Sequence, residues 1–165
     1  MPTKRNANKS KSTTATGRKA AAKSTAARGG GTAVTTLALT AISPSLTVND
    51  VETSLTWYRG VLGFTVAERW ERDGKLLGVG ITAGKAFLML GQDDWKKGRD
   101  RSKGQGVRLY CETGQDIDRL AAKIKAQGGV LVQEPRDQEW GVRDIAIDDP
   151  DGYHLTIAAK LKRKR

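Results

Sequence analysis

The apolar positions of this chain fall into two runs of elements in the same order. Val51, Leu55, Tyr58 and Leu62 are spaced as one face of a helix, with Asp50 placed to cap its start and Gly60 and Gly63 to stop it. That spacing predicts a helix over 51–61. Ile117, Leu120, Ala121 and Ile124 repeat it, with Gly128 at the end, and predict a second helix over 116–127. Alternating runs at 41–49, 64–72, 75–82, 85–91, 106–112, 130–133, 141–148 and 153–159 predict strands. Pro44 has no N–H to give to a ladder, so it marks an edge position or a strand start. Asp73-Gly74 signals a two-residue hairpin. Asp149-Pro150-Asp151-Gly152 signals another turn, because Pro150 presets its own φ and Gly152 tolerates the conformation that follows. A polar stretch, 92–104, separates the halves. Each half therefore reads strand, helix and three strands, an α+β pattern of two βαβββ modules at about 41–91 and 105–159.

Charge changes the picture at the ends only. The net charge of +11 belongs to the tails. Residues 1–31 carry Lys4, Arg5, Lys9, Lys11, Arg18, Lys19, Lys23 and Arg28 with no acid and no large apolar residue after Met1. Such a segment cannot offset its ordering entropy and is expected to be a disordered basic tail. Lys162, Arg163, Lys164 and Arg165 make 161–165 a second basic tail, leaving 32–160 as the folded domain. Both tails suit non-specific phosphate contacts through counterion release; the bland alternative is a solvated tail without a partner. Cys111 is the one cysteine, which excludes an internal disulfide and fits a reducing compartment. No long apolar run suggests a membrane span, and the leader lacks the apolar stretch of a secretory signal, so a cytoplasmic location is expected.

Three stretches carry a resemblance. They are Leu46-Thr47-Val48-Asn49-Asp50 running into Trp57-Tyr58-Arg59-Gly60-Val61-Leu62-Gly63-Phe64, then Trp140-Gly141-Val142-Arg143, then Asp149-Pro150-Asp151-Gly152. In this order they resemble the vicinal oxygen chelate superfamily, which includes glyoxalase I, extradiol dioxygenases, fosfomycin-resistance enzymes and metal-free bleomycin-resistance proteins. The resemblance implies paired modules whose curved sheets form a cup, commonly in a homodimer. It also implies four metal-ligand positions, which fall here on Ser43, Met89, Gly106 (with Gln105 beside it) and Thr156. The metal enzymes have His, Gln or Glu there; this chain offers two hydroxyls, a thioether and no side chain. The expectation is no metal and no cofactor, and a body like the metal-free branch, binding a small organic molecule such as an antibiotic or a metabolite.

The residues expected around that ligand are Ser43, Trp70, Met89, Arg108, Trp140, His154 and Thr156. Trp70, Trp140 and Trp95 are candidates for an aromatic wall, against packing or interface roles for each. Arg108 shares strand parity with Gly106 and could clamp a carboxylate or phosphate, or bond internally to an acid such as Asp144 or Glu68. His154, the only histidine, shares parity with Thr156; as an acid or base it needs a positioned partner, which the sequence does not reveal. Asp148, Asp149 and Asp151 read as ordinary turn residues. Two other classes remain. One is a lyase, isomerase or dioxygenase-type enzyme with an atypical site. The other is a nucleic-acid-associated protein tethered by its tails.

Overall fold

In the computed structural model, which describes residues 37–161, each half of the chain builds its own four-stranded sheet. The first module is β1 (Ser45–Val48), α1 (Val51–Gly60), β2 (Thr65–Arg72), β3 (Lys75–Ala83) and β4 (Ala86–Gln92). The second is β5 (Arg108–Glu112), α2 (Ile117–Ala126), β6 (Leu131–Asp137), β7 (Val142–Asp148) and β8 (His154–Lys160). Strand order is β1-β4-β3-β2 in one sheet and β5-β8-β7-β6 in the other, so the modules repeat each other in topology. In each, the first strand runs parallel to the last and the other pairs are antiparallel. The α+β expectation of two βαβββ modules is met. The two expected tails, 1–31 and most of 161–165, lie outside the described residues.

Local chemistry accounts for the elements. Asp50 and Asp116 cap the helices, each accepting from the backbone N–H three residues on, at 2.7 and 3.0 Å. Asp73 and Gly74 both take positive φ, as a tight hairpin turn of this twist requires. Three expected strands differ in extent. β5 starts at Arg108, because Gly106 takes a positive φ in the turn before it, so the expected strand parity of Gly106 with Arg108 does not hold. β1 begins only after Pro44, whose carbonyl accepts from Met89 N–H while its nitrogen has nothing to donate. β6 runs past the expected 133 and through Pro135; it is an edge strand, and register shifts between Gln133 and Arg136 take the proline out of the ladder.

Each helix covers one face of its sheet. Val51, Leu55 and Tyr58 of α1 are buried with Leu46, Val48, Val79, Ile81, Leu88 and Leu90. Ile117, Ala121 and Ile124 of α2 are buried with Ile145, Ile147 and Leu155, and the two groups belong to one hydrophobic core. At Gly129 a Cβ would come within 2.7 Å of a Val61 methyl and 2.5 Å of an Ile124 methyl, so a glycine is what lets the two modules close there. The chain from Leu39 onward gathers into one compact unit.

Polar contacts fasten the modules around the start of α1. Asp149 accepts from the Tyr58 hydroxyl at 2.9 Å and from the N–H groups of Asp151 and Tyr153. Asp151 accepts from Asn49 N–H at 2.7 Å and from the Ser54 hydroxyl at 3.0 Å. Both carboxylates are nearly buried. Burial pushes the Asp149 carboxyl above the usual carboxylate range, and burial followed by the Asp149 charge drives the Tyr58 phenol up. The turn residues thus hold the first module's helix as well as shaping a hairpin. Asp149→Ala leaves three buried donors without acceptors and is expected to cost about 2–4 kcal/mol of stability. Tyr58→Phe, which removes one bond, should cost about 1–2 kcal/mol. Urea unfolding of the two variants checks both values, and an unchanged midpoint for Asp149→Ala would contradict this account of the junction.

Candidate functional site

The faces turned away from the helices are where small molecules can reach the sheets. In the first module, Ser45, Thr47, Gly78, Gly80, Phe87, Met89 and Gly91 alternate with the core residues and so share that face. A Cβ on Gly78 would lie 2.9 Å from the Trp70 ring, and one on Gly80 would lie 2.7 Å from the Phe87 ring. The absent side chains let both rings lie against the sheet backbone. Met89 sits beside them as the register partner of Gly80 and Ser45. Trp70 stays 41% exposed, so the platform has an open aromatic surface. Ser43 is exposed just before β1 and has the same parity as Ser45.

The second module presents a polar face. Arg143, Ile145 and Ile147 point to the helix side, where Arg143 bonds both Asp118 oxygens at 2.8 Å. The opposite face therefore carries Asp144, Ala146 and Asp148 on β7, His154, Thr156 and Ala158 on β8, and Arg108, Tyr110 and Glu112 on β5. Arg108, His154 and Asp148 form one cross-strand row, and Tyr110, Thr156 and Ala146 form the next. His154 Nδ1 lies 2.7 Å from Asp148 Oδ1. An ionised carboxylate only accepts, so Nδ1 carries the hydrogen and Nε2 of the neutral ring offers its lone pair. No described residue bonds Nε2 or forms an ion pair with Arg108, so the internal pairing of Arg108 with Asp144 or Glu68 is not what this structure adopts. Asp144, at 3% exposure, instead has one oxygen held by the amides of Gln133 and Gln138, at 2.6 and 2.8 Å.

The expected site residues are thus only partly brought together. Met89 and Trp70 share the first face; Arg108, His154 and Thr156 share the second. Trp140 stands in the β6–β7 turn, 67% exposed, beyond the start of β7, whereas His154 pairs with the last residue of β7. Six strand residues, about 20 Å, lie between those ends, which removes Trp140 from the His154 cluster. Trp95 belongs to neither strand row. Its ring takes Lys103 Nζ and Arg99 Cζ each at 4.7 Å from the centroid, inside the loop between modules. In that loop Asp93 bonds Lys103 at 2.8 Å, Arg101 and the Trp95 N–H; the Lys103 bond is the main cause that holds its carboxyl down to about 2. Asp148 was the residue that reasoning from sequence passed over as a site member. The signal was its position at the hairpin-closing pair opposite the one histidine.

With this geometry in view, the comparisons with known proteins fix the family. The model of the Glyoxalase/Bleomycin resistance protein/Dioxygenase superfamily matches residues 21–157. The chain belongs to this superfamily. Among solved structures, one similar fold is TioX from Micromonospora sp. ML1, 20% identical, covering 73% of this chain and 98% of TioX at a TM-score of 0.61. Another is a glyoxalase/bleomycin resistance protein/dioxygenase from Nocardioides, 21% identical over 80% of this chain and 90% of its own, at 0.63. A third is a lactoylglutathione lyase from Agrobacterium tumefaciens, 17% identical over 74% and 95%, at 0.55. At these identities the likeness shows the fold. No curated protein matches the chain.

The residues at the positions that the resemblance assigns to metal ligands have the wrong donor chemistry for the superfamily's metal. Ser43 and Thr156 offer neutral hydroxyls, Met89 a thioether, and Gly106 no donor at all. Divalent zinc, nickel, manganese and iron sites are built from imidazole, carboxylate and thiolate. Among the described residues no three His, Cys, Asp or Glu side chains are grouped to hold an ion. The face instead carries a histidine oriented by a carboxylate. In long-range ¹⁵N spectra of the neutral imidazole, His154 is expected as the Nδ1–H tautomer. Asp148→Ala should move it toward the Nε2–H form, and an Nε2–H ring in the wild type would refute the assignment.

Proposed function

We propose that this protein binds a small organic molecule, an antibiotic or a metabolite, on the open faces of its sheets, with no metal at the superfamily's ligand positions. One observation carries the reading: Trp70 and Phe87 lie on a glycine floor beside Met89, on a face that α1 leaves uncovered. A flat apolar group gains most from such a platform, because stacking buries both surfaces with little conformational cost. Arg108, His154, Tyr110 and Thr156 supply the few polar groups that orient a ligand, and Ser43 borders the first face. The exposed Trp70, Tyr110, Val132 and Trp140 support a homodimer in which a second copy covers part of these surfaces. The basic tails support a further arm of the proposal, non-specific binding of nucleic acid through phosphate contacts. No helix of the described residues is long and apolar enough to cross a membrane, which agrees with a cytoplasmic setting as part of the same reading.

The oriented His154 supports a second reading within the same superfamily, an enzyme of lyase or isomerase type with an atypical, metal-free site. The first reading rests mainly on the face of the first sheet and this one on the face of the second, and they differ in whether the bound molecule reacts.

Binding of 1-anilinonaphthalene-8-sulfonate, followed by its fluorescence, tests the platform. The full chain should bind it saturably, and Trp70→Ala should weaken binding roughly tenfold, the worth of one lost stacking partner. Calorimetric titration with zinc, nickel or manganese should give no tight single site. Dye binding indifferent to Trp70→Ala, or a micromolar metal site removed by Ser43→Ala or Thr156→Ala, would overturn the proposal.

A further inference from the structure

We infer that His154 is a metal-free general base, oriented by Asp148, that takes a proton from a ligand whose negative charge Arg108 receives. The inference rests on the ligand-binding reading of the sheet faces and extends it from binding to chemistry. Three observations lead to it. First, the His154 ring is fixed: Nδ1 is bonded to Asp148 Oδ1 at 2.7 Å, and the two residues are directly opposed on β7 and β8. A carboxylate behind the ring holds the tautomer and stabilises the imidazolium that proton transfer creates. Second, Nε2 has no partner among the described residues, while the His154 side chain keeps 22% of its surface exposed. The basic atom, which has no partner yet is not buried, is therefore reachable by solvent. Third, Arg108 is the register partner of His154 on β5, is exposed, and is in no ion pair with a described residue. It stands beside the base as a cation with five donors and nothing in the described chain to spend them on.

The charged groups aligned with His154 on this face are Asp148 from β7 and Arg108 from β5; the next row holds the uncharged Tyr110 and Thr156. A suitable substrate is a small organic molecule with a proton made acidic by a neighbouring carbonyl or electron-poor ring, placing its developing negative charge toward Arg108. Tyr110, 53% exposed in the adjacent row, gives the ring of such a molecule a surface to rest on. A closing pair next to a turn also occurs for structural reasons alone. What distinguishes the catalytic role is that it requires the base, its orienting carboxylate and access to Nε2 together.

The probe is 5-nitrobenzisoxazole, a flat molecule that needs only a base to react. Imidazole Nε2 takes the proton on C3, the C3–H electron pair becomes the second π bond of a nitrile, and the N–O bond breaks with its pair leaving on oxygen. The product is 2-cyano-4-nitrophenolate, read by its absorbance, and the imidazolium returns the proton to solvent. No oxidant or metal enters. The full-length chain should turn the probe over with saturation, at a rate per site that free imidazole matches only at concentrations far above that of the protein. His154→Ala should lose about a hundredfold of kcat, at the lower end of what a positioned base supplies. Added imidazole should restore part of the loss in that variant. Asp148→Ala should lower kcat several-fold while leaving KM nearly unchanged. His154→Asn serves as the second variant, and thermal melting of all three confirms that they fold.

The inference is overturned if His154→Ala and His154→Asn fold and retain wild-type turnover, which would assign the reaction to surface lysines. It is also overturned if Asp148→Ala leaves kcat unchanged, which would leave the pair a turn-closing contact. A chain that binds the anilinonaphthalene dye at Trp70 but shows no His154-dependent turnover would refute the base and leave the binding proposal standing. Failure of both dye and probe to bind would refute the binding proposal and the base with it.

Discussion

The grip of the Asp149–Gly152 turn on the first helix is the constraint on which the rest of the molecule depends. Neither module's sheet hydrogen-bonds to the other, so the modules are joined by core packing at Val61 and Gly129 and by this turn. Two nearly buried carboxylates would be costly if unpaired. Here five hydrogen bonds from Tyr58, Asp151, Tyr153, Asn49 and Ser54 satisfy them, and all but two of those bonds come from the other module. Next to the turn, Asn49 also meets Lys103, whose ammonium is held by Asp93 and rests over Trp95. The loop between modules is thereby drawn into the same junction. Because the modules are fastened here, neither sheet has to use its outer face to hold the chain together.

That division leaves two faces of different chemistry. The first is floored by Gly78 and Gly80 and surfaced by aromatic rings, a combination suited to flat apolar groups. The second has an ordered row of Arg108, His154 and Asp148. In metal-dependent members of the superfamily a cation concentrates the charge of the site. Here the positions that the resemblance assigns to its ligands carry Ser43, Met89, Gly106 and Thr156, and charged side chains stand one row from Thr156. The same scaffold can therefore be read as moving from metal-centred to side-chain-centred recognition.

Much of the fold was legible in the sequence because its signals are local. Helical spacing, the Asp50 cap and the Asp73-Gly74 turn each act within a few residues, and the elements they imply appear where expected. The parts that were not legible depend on distant contacts. Asp149 and Asp151 have the composition of an ordinary turn, and nothing near them indicates that Tyr58, Asn49 and Ser54 are their partners some 90 to 100 positions earlier. Trp95 looks like any exposed loop aromatic until Lys103 and Arg99 are placed against it. That Arg108 pairs with His154 is a matter of register between strands, which parity within each strand does not give; for the same reason Trp140 was grouped with a residue at the far end of the sheet.

The central claim is that this member of the superfamily recognises an organic molecule with its own side chains in place of a metal. Native mass spectrometry of the full-length protein, isolated from its own source without chelator or added metal, tests that most directly. The account predicts a homodimer carrying a non-peptide organic mass that dissociates on mild activation, with no stoichiometric transition metal. One metal ion per chain, removed by a chelator together with the bound organic mass, would contradict it.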